Sequence, residues 1–515
     1  MTTHVALESS TWKKAAVARN GVANAATLAA PVHENGHSFT TKGDFLWRAD
    51  CCCCCGHGVP VDLLLEYAHK IPKVELHVHM EGTLEATLAK EIAKKNGVPM
   101  GNAGKEAFND DEHGIAFGDL DSFLAAYFHR ESVLRHREDI YNVVLRYFEK
   151  SAAQNVRHIE LLFDFQSPFR QTPPRETLQG MYDACLEAEK RWGVTSRRIL
   201  CFIRSFPLKK HLECVEMVTP HMSLFDGFGL AASEHGNENY KFRKVFDLVK
   251  QKGFPCVAHA GEEGPAQNVI DALVHNHAAR IDHGTSAVED PGLLKHLVAN
   301  QVPLTVCPLS NVCLGVCRNL EEHPLLRCMP KCALESKTPN GVSHEVFQSQ
   351  RDRLRCEQLD KLKAADKDPK CAFGVPDPVP YVAGHTSAES ISLGPKRVTG
   401  SRIGVQFESL IDQGLQVTIN SDDPAFFGGG MNENFRGIIE TCREKENVCN
   451  GVAADDTNGG TPLLKESLHW RLDTIKTVVL NSVYAAFLPL EKKLALAQEV
   501  ESFDAEFRKK HRIAN

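Results

Sequence analysis

The chain has 515 residues, of which 43% are hydrophobic, and its 59 Lys+Arg against 66 Asp+Glu leave a formal net charge of -7. No broad basic field exists to hold a nucleic-acid backbone or an anionic membrane surface, so small molecules are the expected partners. No apolar run is long enough for a membrane span, and the 18 cysteines follow no disulfide-scaffold spacing, so reduced thiols in the cytosol are expected.

Residues 1–70 read as a peripheral extension, alanine-rich between Ala23 and Ala30 and then polar. Lys13, Lys14 and Arg19 give it a faint transit-peptide character; nuclear or organellar placement stands as the alternative to the cytosol. The run Cys51 to Cys55 has no second ligand cluster at a known metal spacing, and its low-complexity reading outweighs metal binding or acylation.

The barrel reading begins at Val74. In Lys73-Val74-Glu75-Leu76-His77-Val78-His79 the period of a strand sends His77 and His79 to one side, where two imidazoles can meet one ion. Short apolar segments alternating with helical ones follow, at 156–163, 199–203, 224–230, 255–259, 279–283, 302–307 and 416–420, with helices expected around 176–191 and 210–218. Eight strand-helix units imply parallel strands and predict a closed (β/α)8 TIM barrel over residues 71–515. Two tracts interrupt it. Residues 329–401, rich in proline and charge, read as a surface insertion before the eighth strand, emerging near the active rim; residues 446–461 read as a loop. Leu488, Leu494, Phe503 and Phe507 are expected to pack the closing helices against the barrel.

Catalytic groups of such barrels lie at the C-terminal ends of strands. His77 and His79 end the first strand, His259 and Glu262 the fifth, His283 the sixth, and Asp422 and Asp423 follow the eighth. Three imidazoles and a carboxylate, His77, His79, His259 and Asp422, suit one zinc ion per chain, which can lower the pKa of water to about 7. Glu262 is placed to deliver a proton to a ring nitrogen, His283 to manage the water, and Asp423 to hydrogen-bond a heterocycle. Each residue alone has a structural reading: a buried histidine held by hydrogen bonds, or Asp423-Pro424 as a helix cap. The agreement of four separated strand ends favours metal-assisted hydrolysis.

These motifs resemble the adenosine and adenine deaminases of the amidohydrolase superfamily. His-Val-His-Met-Glu-Gly-Thr-Leu (77–84), His-Ala-Gly-Glu-Glu-Gly-Pro (259–265), Asp-His-Gly (282–284), Cys-Pro-Leu-Ser-Asn-Val (307–312) and Asn-Ser-Asp-Asp-Pro (420–424) follow the family's order. The resemblance implies the same zinc ligands, Glu262 as proton donor, His283 as the water-managing residue and Asp423 as a substrate group. Glu81, where adenosine-specific members usually have Asp, and Ser233-Glu234-His235-Gly236-Asn237 look like the adenine branch, which implies substrate roles for Glu81 and Ser233. Ala231, where that branch often has Asp, and the insertion depart from the pattern. Adenine conversion to hypoxanthine and ammonia is thus expected, with an adenosine or N6-modified purine deaminase, and a catalytically silent scaffold, as the alternatives.

Overall fold

A computed structural model of the chain describes residues 59–99, 115–167, 170–326, 328–330, 344–367, 407–411, 413–451 and 471–513. All of them belong to one compact unit, Leu46–Asn515. The cysteine run at 51–55, most of the extension and most of the proline-rich insertion lie outside the described residues.

Among the described residues there are ten strands: β1 (Lys73–His79), β2 (Val156–Phe163), β3 (Thr195–Ile203), β4 (Gly227–Ala231), β5 (Cys256–Ala260), β6 (Ala278–His283), β7 (Leu304–Val306), β8 (Cys328–Pro330), β9 (Phe407–Ser409) and β10 (Val417–Ile419). β1 to β7 and β10 form one all-parallel sheet in that order. The ring closes between β10 and β1. Leu76 N–H donates to Asn420 Oδ1 at 2.8 Å, Asp422 N–H to the His77 carbonyl at 3.1 Å, and His79 N–H to the Asp422 carbonyl at 2.9 Å. The expected (β/α)8 TIM barrel is the fold, and its eight ring strands overlap all eight segments read from periodicity.

Strand alternation decides what the barrel contains. On β1, Val74, Leu76 and Val78 join the main apolar core, a register shift between Glu75 and Val78 interrupts the alternation so that Glu75 accepts from Tyr147 of the helix Arg137–Ala153, and His77 and His79 make polar contacts in the interior. Deeper in the barrel, Arg280 donates to Glu160 at 2.8 Å with both side chains fully buried, and its guanidinium lies over the Phe487 ring. A buried charge of this kind is tolerable because it is paired and hydrogen-bonded.

Four local readings differ from the structure. The helix Val61–Lys70 packs on the barrel body instead of trailing as extension: Tyr67 is fully buried, and its hydroxyl donates to Asp504 Oδ1 at 2.8 Å. Tyr67→Phe should therefore lower unfolding stability by about 1.5 kcal/mol, read as a shifted urea midpoint with unchanged slope. The charged centre of the insertion forms a helix, His344–Asp366, whose Gln358, Leu362 and Ala365 are buried. A narrow stripe on a strongly charged helix gives little periodic signal. Gln358 donates to Gln416 Oε1 at 3.1 Å, just before β10 begins, which seats this helix at the end of the barrel opposite Asp422 and not at the active rim. Residues 446–451, read as loop, continue the helix Met431–Gly451. Leu488 and Phe507 are buried and Phe503 packs on the core, but Leu494 is 40% exposed, because it falls off the buried stripe of Leu490–His511.

Candidate metal-dependent active site

The two histidines of β1 meet His259 from β5 and Asp422 from the turn after β10. One donor atom from each lies within 4.8 Å of the other three. His77 Nε2 is 3.2 Å and His79 Nε2 3.6 Å from Asp422 Oδ1, and His79 Nε2 and His259 Nε2 are 3.2 Å apart. His77 Nε2 is buried without a hydrogen-bond partner among the described residues. Burial, then the neighbouring His259, push His79 down to about 3, leaving the neutral imidazole that binds metals. Three converging imidazole nitrogens, that of His77 without a hydrogen bond, and one carboxylate could hold a divalent metal ion. A second grouping replaces His79 and His259 with His283 and Cys307, but burial pushes the Cys307 thiol far up, which disfavours the thiolate a metal needs.

A layer behind these residues orients them. Thr305 Oγ1 lies 3.0 Å from His77 Nδ1 and donates to Asp282 Oδ1 at 2.8 Å, and Asp282 Oδ2 is 3.4 Å from His259 Nδ1. With the δ nitrogens of His77 and His259 turned toward this layer, their ε nitrogens are free to converge with that of His79. The backbone is bent to the same end. Ala232, His283 and Asp422 sit at φ of 75°, 64° and 63°, a left-handed conformation costly for side-chain-bearing residues, and all three line one cavity.

That cavity, about 380 Å³ with the solvent space at its open mouth included, is lined by His79, His259, Glu262, His283, Asp422 and Asp423 on its polar side. Leu120, Phe123, Leu124 and Tyr127, from the helix Leu120–Glu131, supply most of its apolar wall. Glu262 Oε2 is 3.5 Å from His283 Nε2, while Glu262 Oε1 is buried without a partner among the described residues. Burial, then the charges of Asp422, Glu234 and Glu263, push the Glu262 carboxyl well up, which favours its protonated form. Burial pushes His283 down, leaving a neutral imidazole whose Nδ1 lies 3.3 Å from Asn311 Nδ2. Asp423 is pushed up by burial and then by Asp422 beside it.

Glu81 and Ser233 are placed differently from these. Glu81 is 2% exposed and lies behind the cavity wall: Arg170 donates to its Oε1 at 2.5 Å, the Asp164 backbone N–H to the same oxygen at 3.1 Å, and the Tyr127 hydroxyl lies 3.3 Å from Oε2. Ser233 Oγ donates to Glu263 Oε2 at 3.1 Å, and its neighbours Ala231 and Ala232 line the cavity instead.

Three residues with work at this site went unassigned in the sequence: Tyr127 and Asp164, which line the cavity, and Glu234, which lies behind it. Glu234 accepts hydrogen bonds from the backbone N–H groups of Gly261, Glu262, Glu263 and Gly264 and from Asn268, and so holds the whole turn that carries Glu262. Burial opposes its ionisation, but Arg204, Asn268 and those N–H groups hold its carboxyl low. Its only signal was its place in the Ser-Glu-His-Gly-Asn motif. Glu234→Gln turns an amide toward N–H donors and should reduce kcat about tenfold or more while metal content, read by elemental analysis, stays at wild-type level.

The adenosine deaminase family model matches residues 72–332. An adenine deaminase of Chlorobium phaeobacteroides (strain BS1) is 32% identical over 440 residues, covering 85% of this chain and 98% of its own length. One from Cupriavidus necator is 32% identical over 441 residues, covering 85% and 94%. The crystal structure of an adenine deaminase from Arthrobacter aurescens superposes with a TM-score of 0.59 at 26% identity, over 84% of this chain and 98% of that one.

Proposed function

The chain belongs to the adenosine deaminase family, and from that premise we propose that it is a zinc-dependent hydrolase converting adenine and water into hypoxanthine and ammonia, a purine-salvage reaction. The observation that carries the reading is the convergence of donor atoms of His77, His79, His259 and Asp422 beside a cavity that Glu262 and His283 also line. The adenine deaminases among its relatives, each matched over nearly its full length, support the choice of base.

Zinc held by the three imidazoles and Asp422 would supply Lewis-acid polarisation and bring the pKa of a bound water from 15.7 to about 7. Glu262 delivers its proton to purine N1 as C6 is attacked, which moves the developing charge off the ring. His283, uncharged and set against Asp422, takes the proton of the attacking water and passes it to the exocyclic amine, which leaves as ammonia when the C6–N bond breaks, while the C6 hydroxyl proton returns to Glu262. Asp423 fixes the ring, and the apolar face of Leu120, Phe123 and Leu124 excludes bulk water. Glu81 acts through Tyr127 and Asp164, and Ser233 through Glu263, by holding the walls against which the base is seated. Among the described residues no helix is long and apolar enough to cross a membrane, and we place the reaction in the cytosol.

Purified full-length chain loaded with zinc should consume adenine with release of ammonia and leave adenosine largely untouched. Stripping the metal with a chelator should abolish turnover and zinc should restore it. Equal or faster use of adenosine would overturn the choice of base, and full activity of the stripped protein would overturn the chemistry.

A further inference from the structure

Behind Tyr127 lies a buried ionic network that the reaction chemistry does not use. Arg170 Nη1 donates to Glu81 Oε1 at 2.5 Å and to Glu131 Oε1 at 2.8 Å, and Arg170 Nη2 donates to the Asp164 carbonyl at 2.8 Å. Ser167 Oγ donates to Glu131 Oε2 at 2.5 Å. The Tyr127 hydroxyl bridges Glu81 Oε2, at 3.3 Å, and Asp164 Oδ2, at 3.2 Å.

Every carboxylate oxygen of Glu81 and Glu131 is thereby occupied. Asp164 is the exception. Its Oδ2 faces Tyr127, but its Oδ1 is buried without a partner among the described residues, and the residue is 4% exposed and lines the cavity. A buried acceptor left unpaired costs about 1–3 kcal/mol, so the arrangement is made for a donor that arrives from outside.

Ring topology says which edge of a ligand can bring it. Asp164 immediately follows β2, and β2 stands across the eight-stranded ring from β6, which carries His283. A purine whose six-membered ring reacts against Glu262 and His283 turns its five-membered ring toward the far wall. A free base carries a donor there, the imidazole N–H. A nucleoside carries a sugar at that nitrogen and has no hydrogen to give.

The hydroxyl of Tyr127 has a single proton, so it cannot donate to Glu81 and Asp164 together. Burial, then the charge of Glu81, push Asp164 up to about 8. A relay fits this count: Asp164 protonated on Oδ2 donates to Tyr127, Tyr127 donates to Glu81, and Arg170 neutralises Glu81. Oδ1 is then a carbonyl oxygen that can only accept.

We propose that Asp164 Oδ1 accepts the imidazole N–H of a free purine base and thereby makes the site select bases over N9-substituted purines. Glu81, Tyr127 and Arg170 are positioning residues that hold it in place. The assignment rests on the adenine reading above and names the residue that sets its specificity. A site built around one such hydrogen bond can reject a ligand lacking it by several orders of magnitude, because its own polar group is then stranded.

The test uses the zinc-loaded full-length protein with adenine and 9-methyladenine, whose reacting amines are alike and which differ at the imidazole nitrogen. Wild-type protein should favour adenine in kcat/KM by about 10²-fold or more, and Asp164→Ala should cut that ratio at least about thirtyfold. Asp164→Asn keeps an acceptor oxygen and a donor for Tyr127, and should hold the ratio within about fivefold of wild type. Should the alanine variant fail to fold, Asp164→Ser carries the same expectation. An Ala or Ser variant with the wild-type ratio, or an Asn variant that loses the ratio as fully as Ala, overturns the assignment. Calorimetric binding of hypoxanthine against 9-methylhypoxanthine reads the same contact without turnover. If wild-type protein deaminates neither base, the adenine reading fails, while this binding difference still decides the role of Asp164.

Discussion

Glu262→Gln should lower kcat on adenine by about 10³-fold while leaving zinc content and the melting temperature within error of wild type. Glutamine is nearly isosteric with the protonated acid and keeps the turn intact, because that turn is held by Glu234 bonding to backbone N–H groups and not by the Glu262 side chain. What is lost is a transferable proton. Burial and three neighbouring carboxylates push the Glu262 carboxyl well up and so favour the proton-bearing acid, whereas an amide cannot give a proton to purine N1 at any useful rate. Pre-steady-state measurement should place the loss in the chemical step, with KM changed by less than a few fold. A variant that keeps wild-type kcat would remove Glu262 from the mechanism.

Gly82→Ala should reduce kcat/KM by about 10²-fold or more, although one methyl group is all that is added. Gly82 sits in the single helical turn Glu81–Thr83 directly after β1, and a Cβ at that position would lie 1.8 Å from Asp423 Oδ1 and 2.7 Å from the Asp423 Cα. The second distance matters more. A side chain can swing away, but a backbone atom moves only with its neighbours, and Asp422 is one of them. The segment is also latched here, since Ala425 N–H donates to the Gly82 carbonyl at 3.0 Å. Displacing Asp423 therefore displaces the carboxylate proposed to hold zinc, and elemental analysis should show partial loss of metal. Normal metal content together with normal kcat/KM would mean that the turn can part without disturbing the site.

Local spacing along the chain was enough for the barrel and for most of the polar residues at its rim. Strand periodicity put His77 and His79 on one side, and the places where apolar segments stop located His259, His283 and Asp422, because a parallel barrel must present strand ends at one rim. These are properties of neighbours in sequence. The helix His344–Asp366 and the exposure of Leu494 were not readable in the same way, since each depends on what a helix meets after the chain has folded.

The walls of the cavity belong to the second kind of information. Glu81 was marked by its motif, yet its carboxylate is spent on Arg170, Tyr127 and the Asp164 backbone, three groups far along the chain from it. Asp164 was one acid among 66 Asp+Glu until the fold set it on the cavity wall with an oxygen unpaired. The amino-acid sequence by itself determined the barrel and which strand ends carry imidazoles and carboxylates, because both follow from short-range periodicity. Only the tertiary structure decided which carboxylate oxygens are already satisfied and which face the cavity, because hydrogen-bond partners brought from separate elements decide what each acid has left to offer.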